Sequence, residues 1–211
     1  YPGNITGSIA TNVSANGTIY NNGTIGNAGI TTVTGGAIEN PGLIGNNGTA
    51  TNVTGRELNN TGTIAGLPIQ INVTGNLTNN GTITSTGNVT VTAGNVINRN
   101  RGNITGSANT NVSSNGKIDN NGTIGAAGNT TVTGGSVTNQ APNGTIGNAN
   151  GTTVIVSTTC IDGTGINGSP VTITAGGWTG TGMWLGTRKL ALPEAHTDYI
   201  FSVIGEEFGQ I

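Results

Sequence analysis

The sequence predicts an all-β chain wound as a parallel β-solenoid of about eight coils, each about 20 residues long, with a non-repetitive segment at its C-terminal end. Three observations carry that prediction. Residues 3–40 (GNITGSIATNVSANGTIYNNGTIGNAGITTVTGGAIEN) recur with few changes as residues 102–139, an offset of 99. A shorter period lies inside that block, because the glycine of a G-T-I signature falls at Gly23, Gly42, Gly62, Gly81, Gly102, Gly122 and Gly144, at intervals of 19 to 22. The offset of 99 is then five such periods, and a period near 20 fits a solenoid coil. Finally, glycine is spread through every repeat (39 in all), and each interior helical glycine would cost about 1 kcal/mol, which excludes a helical repeat.

The elements follow in order along each period. The G-T-I isoleucines form one column: Ile25, Ile44, Ile64, Ile83, Ile104, Ile124 and Ile146. A second column reads Val13, Val33, Val53, Val73, Val91, Val112, Val132 and Val154, and a third reads Ile19, Ile38, Leu58, Leu77, Ile97, Ile118 and Val137. Segments such as Thr31–Thr34 and Val89–Thr92 alternate with period 2, and Val, Ile and Thr suit a pleated surface. Each coil is therefore expected to hold three short strands and three turns. Asn-Asn-Gly triplets at 21–23, 79–81 and 120–122 mark corners, since glycine supplies positive φ and asparagine tolerates it. Stacked in register, these asparagines are expected to form hydrogen-bonded ladders.

The cadence of Leu77-Thr78-Asn79-Asn80-Gly81-Thr82-Ile83 and Gly87-Asn88-Val89-Thr90-Val91-Thr92-Ala93-Gly94 resembles the repeats of filamentous-haemagglutinin-like secreted adhesins, over roughly residues 3–156. The resemblance implies a right-handed parallel β-helix. It also implies a secreted protein, extracellular or at the cell surface. A chain that opens at Tyr1 without methionine fits removal of a signal peptide.

Composition narrows the function classes. Only 7% of residues are charged and the net charge is −2, which excludes a basic nucleic-acid binder. No apolar run reaches the ~18–20 residues of a membrane span. One cysteine, Cys160, excludes an internal disulfide framework and is expected to be a small buried hydrophobe. The repeats hold only Glu39, Glu57 and Asp119 as acids, scattered over several coils, whereas glycoside hydrolysis needs a carboxyl pair. His196, the one histidine, reads as part of a solvated turn. Hence no catalytic, metal-ligating or cofactor-binding residue is expected, and no enzyme.

The domain reading is residues 1–160 as the solenoid and 161–211 as a terminal coil with a cap or subunit-docking tail. Five of the seven aromatics and five of the eight acids follow residue 160. Trp178, Trp184, Tyr199, Phe201, Val203 and Phe208 are the candidate assembly residues, because an open coil exposes strand edges that a neighbouring copy can pair. The functional expectation is a non-enzymatic structural protein, a subunit of a surface filament or an adhesin stalk, assembling end to end with further copies. Surface glycans of a host or neighbouring cell are the other partner class. Two alternatives stand beside it. Outward residues flanking the valine column (Ser14, Thr32, Thr34, Thr54, Thr74, Thr90, Thr92, Ser113, Thr131 and Thr133) form a ladder that resembles the flat face of ice-binding solenoids. A carbohydrate-binding β-helix would use tip aromatics. Outward Asn12, Asn52, Asn72 and Asn111 sit in N-x-S/T triplets and are glycosylation candidates.

Overall fold

The computed structural model describes residues 3–175, apart from Asn27, Ala126 and the side chain of Cys160. Twenty strands and no helix make up this region. In chain order they are β1 (Asn4–Ile5), β2 (Ala10–Ser14), β3 (Thr18–Tyr20), β4 (Thr24–Ile25), β5 (Ile30–Asn40), β6 (Leu43–Gly45), β7 (Thr51–Asn60), β8 (Thr63–Gly66), β9 (Ile69–Asn79), β10 (Thr82–Ser85), β11 (Val89–Asn98), β12 (Asn103–Gly106), β13 (Asn109–Ser114), β14 (Lys117–Asn120), β15 (Thr123–Ile124), β16 (Asn129–Asn139), β17 (Thr145–Gly147), β18 (Thr153–Gly163), β19 (Ile166–Asn167) and β20 (Val171–Thr174).

All pairings are parallel and join each coil to the next, so the chain is a β-solenoid with a coil spacing of about 20 residues. The short strands stack as one sheet, β1-β4-β6-β8-β10-β12-β15-β17-β19. The long strands stack as the other, β2-β5-β7-β9-β11-β13-β16-β18-β20. Three separate strands per coil were expected. They occur where β2 and β3, or β13 and β14, stand apart. Elsewhere the two segments fuse into one strand of 10 or 11 residues that bends in the middle without a turn. The bend falls at glycine. A Cβ on Gly36 would lie 2.5 Å from the Asn16 carbonyl oxygen, and one on Gly94 would lie 2.6 Å from that of Thr74. Backbones stack too closely there for a side chain, and the glycine lets the chain round the corner while it stays extended.

The core is a set of aliphatic columns. The G-T-I column stands as read, extended by Ile5 above and Ile166 below. The second column needs two corrections. Ile71, not Val73, stacks between Val53 and Val91, and Ile155, not Val154, stacks under Val132. Val73 is still buried, paired with Gly55 and Ala93, whereas Val154 is only half-buried, between Thr131 and Thr172. In the third column Val96 replaces Ile97, which is half-buried between Thr78 and Asp119.

The G-T-I glycines are fixed by the same close stacking. A Cβ on Gly62 would lie 2.1 Å from the Gly42 carbonyl oxygen, and one on Gly81 the same distance from that of Gly62. Those carbonyls accept the amides of Thr63 and Thr82 in the following coil. The next corner depends on backbone conformation: Gly45 has φ +80°, a region L side chains avoid. Thr51 packs against that glycine and donates its hydroxyl to the Ala65 carbonyl at 2.7 Å.

Candidate functional site

The asparagine ladder is the most regular polar feature, and it lies inside the solenoid. Asn21, Asn40, Asn60, Asn79, Asn98, Asn120 and Asn139 are all buried. Each Nδ2 donates to the Oδ1 of the next asparagine, at 2.6 to 2.9 Å across six links. The same nitrogens also reach backbone carbonyls, as Asn79 Nδ2 does to Gly81 and Asn103. Seven buried amides would be costly if unpaired. Pairing them with one another turns the corner into a continuous hydrogen-bonded spine. It ends below Asn139, whose Nδ2 donates to the Thr164 carbonyl, because Gly163 takes the next register position.

Outside this spine, the residues on either side of the ladder asparagines are exposed or half-buried. One groove on this corner has a volume of about 450 Å³ and is lined by Asn59, Thr61, Thr78, Asn80 and Arg99. Its lower lip is an enlarged corner. Asn80 alone separates Asn79 from Gly81, but Arg99, Asn100 and Arg101 separate Asn98 from Gly102. The Gly102 amide closes this turn on the Arg99 carbonyl at 2.7 Å. The nearby acids on this corner bond to amides: Glu39 Oε2 accepts from Asn59 Nδ2 at 2.8 Å, and Asp119 Oδ1 accepts from Gln140 Nε2. Among the described residues Arg99 forms no ion pair, and no three His, Cys, Asp or Glu side chains converge.

The outward ladder is real but differs in register from the reading above. Its two columns run Asn12-Thr32-Asn52-Gln70-Thr90-Asn111-Thr131 and Ser14-Thr34-Thr54-Asn72-Thr92-Ser113-Thr133. Thr74 is exposed but lies past the ladder, at the bend, and Gln70 stands where Asn72 was expected. Val154 and Val156 then replace the polar residues, so the face changes character at β18. The glycosylation candidates Asn12, Asn72 and Asn111 are exposed, and Asn52 is half-buried. Trp178, Trp184, Tyr199, Phe201, Val203, Phe208 and His196 lie outside the described residues. So does the side chain of Cys160, whose backbone pairs with Ser136 in β16. No helix among the described residues is long and apolar enough to cross a membrane.

The sequence reasoning missed the significance of the part that does not repeat. Its signal was the concentration of aromatics and acids after residue 160, which was assigned to capping and docking. The family model of the FtsW/RodA/SpoVE cell cycle proteins matches residues 157–211, about a quarter of the chain. A probable peptidoglycan glycosyltransferase FtsW from Thioalkalivibrio is 52% identical over 44 residues, covering 20% of this chain and 11% of that protein. One from Legionella pneumophila is 60% identical over 35 residues, 16% of this chain and 9% of that protein. One from Trichlorobacter lovleyi is 63% identical over 38 residues, 18% and 10% respectively. The chain thus spans about a tenth of the length of these relatives. No solved structure matches it. These matches overturn the reading of a non-enzymatic filament subunit or adhesin stalk, together with its ice-binding and carbohydrate-binding alternatives. The family match falls on the region that carries five of the seven aromatics and five of the eight acids.

Proposed function

We propose that this chain works in peptidoglycan synthesis, as a β-solenoid joined to a segment of the FtsW kind of glycosyltransferase. The observation that carries this reading is the identity of 52 to 63% over 35 to 44 residues with those relatives, set beside the family match over 157–211. The solenoid is the scaffold of the pair: a rod with a continuous aliphatic core, an internal amide spine and few charges. The segment supplies the part of the molecule related to the enzyme. The family match begins at Ser157 within β18, and β18, β19 and β20 still pair as solenoid strands. The two parts therefore overlap in sequence, which favours one continuous unit over two modules on a linker. The site of action is the cell envelope, where peptidoglycan is built, and the resemblance of the coils to secreted adhesin repeats agrees with a location outside the cytoplasm.

The test is an exchange. The stretch of the Legionella pneumophila relative that matches this chain is replaced by the corresponding stretch of residues 157–211, and glycan-strand polymerisation by the purified hybrid is measured. Activity within about threefold of the parent is expected, while a hybrid carrying the same residues in scrambled order is inactive. A hybrid as inactive as the scrambled control overturns the reading.

A further inference from the structure

We infer that the groove above the Arg99 corner binds a short extended peptide that carries a free carboxylate, and that, on the peptidoglycan reading above, this is a peptide of the peptidoglycan itself.

The argument starts from the charges. Residues 3–175 hold eight charged side chains, and five of them (Glu39, Arg99, Arg101, Asp119 and Asp162) flank the asparagine spine on one corner. On a solenoid this poor in charge, that is where selective electrostatics resides. Glu39 and Asp119 are each hydrogen-bonded to a neutral amide. Arg99 is exposed with no acidic partner among the described residues. A guanidinium presents a planar fork that matches a carboxylate with two parallel hydrogen bonds.

The rest of the groove suits a peptide backbone. Asn80 offers a side-chain amide, a donor and an acceptor, and Thr61 and Thr78 offer hydroxyls; none of the three is engaged in a side-chain hydrogen bond. Asn59 lines the same groove, with its Nδ2 donated to Glu39. Peptide groups are likewise paired donors and acceptors. The lining spans three coils, two spacings of roughly 4.8 Å, which is the length of about three residues of extended chain. The buried ladder asparagines 60, 79 and 98 hold the lining residues at that pitch. Arg99 follows Asn98 as Asn80 follows Asn79 and Thr61 follows Asn60, so it stands at one end of the row, where a terminal or side-chain carboxylate of such a peptide would fall.

The test is co-sedimentation of the full chain with purified peptidoglycan sacculi at low and physiological salt. Arg99→Gln is expected to lower apparent affinity about tenfold, consistent with the loss of a charge-assisted bidentate contact. Arg56→Gln, an exposed arginine away from this corner, leaves affinity unchanged. Sacculi stripped of their peptides by an amidase bind no better than the Arg99→Gln protein binds intact sacculi. The inference is overturned if the native chain does not bind, if Arg99→Gln binds as native, if Arg56→Gln loses as much, or if stripped glycan is retained equally. Both positions are exposed, and unchanged far-ultraviolet circular dichroism verifies folding. The exchange experiment concerns residues 157–211 and scores polymerisation, so its failure and failure of this groove are separately visible.

Discussion

The first coil and the sixth share most of their sequence, residues 3–22 matching 102–121, yet they live in different surroundings. Ile104 is completely buried; its counterpart Ile5 is 51% exposed. Val112 is buried, whereas Val13 is only partly so. Where the sixth coil has Ala108 and Asp119, the first has Ile9 and Tyr20, 85% and 68% exposed. A coil therefore does not bury its own columns. The coil stacked on it does, and stability is a sum of neighbour interfaces rather than of coil sequences. Full burial of one isoleucine contributes about 1.5–3 kcal/mol, so the sixth coil gains from its upper neighbour what the first coil lacks.

Substitution at matched positions breaks this pair apart most sharply at the stacked glycine. A Cβ on Gly102 would lie 2.1 Å from Asn98 Oδ1 and 2.5 Å from the Asn79 carbonyl oxygen, while one on Gly3 meets nothing within 4 Å. Gly102→Ala should destabilise by about 3 kcal/mol or more, and Gly3→Ala by less than about 0.5 kcal/mol, read from urea midpoints. A similar loss at Gly3 would mean that the first coil is covered in solution. Next comes the aliphatic column: Ile104→Ala should cost about 3–4 kcal/mol and Ile5→Ala about 1 kcal/mol in the same assay. The spine gives the smallest contrast. Asn79→Ala removes one amide bonded to neighbours above and below and should cost about 2–3 kcal/mol. Asn21→Ala at the end of the ladder should cost about 1 kcal/mol. Hydrogen exchange of the Asn60 side-chain amide, whose ladder acceptor is Asn79 Oδ1, should accelerate in Asn79→Ala and stay slow in Asn21→Ala.

Legibility of the fold in the sequence varied by column, for a physical reason. The G-T-I isoleucines were legible throughout, because each follows a glycine that close stacking forbids to change. The valine and third columns slipped where aliphatic residues crowd together. Thr153-Val154-Ile155-Val156 and Val96-Ile97 do not alternate, and a one-residue slip exchanges the inner and outer faces. Ile69, Ile71 and Val73 do alternate, but all three are buried, so parity leaves the register open by two. The fused strands were hidden because a glycine that makes a tight turn and one that bends a continuous strand look alike in sequence. Arg99 was legible as a charge but not as part of a groove. The enlarged corner becomes visible only once Asn98 and Gly102 are placed against Asn79 and Gly81. The family match over residues 157–211 was not legible by periodicity at all, since a 20-residue period reports coil stacking and nothing else.

The asparagine spine also gives the rod an electrical direction. Along the axis of a parallel sheet, successive peptide groups point alternately up and down, so the backbone contributes little net dipole. The six spine links all run one way, Oδ1 toward the first coil and Nδ2 toward the last. An amide carries about 3.5 D, and aligned amides sum as they do in a helix. The positive pole is thus at the Asn139 end, and the chain beyond residue 175 carries Arg188 and Lys189 against Glu194, Asp198, Glu206 and Glu207. A column of neutral side chains thus gives polarity to a rod whose own charges are few.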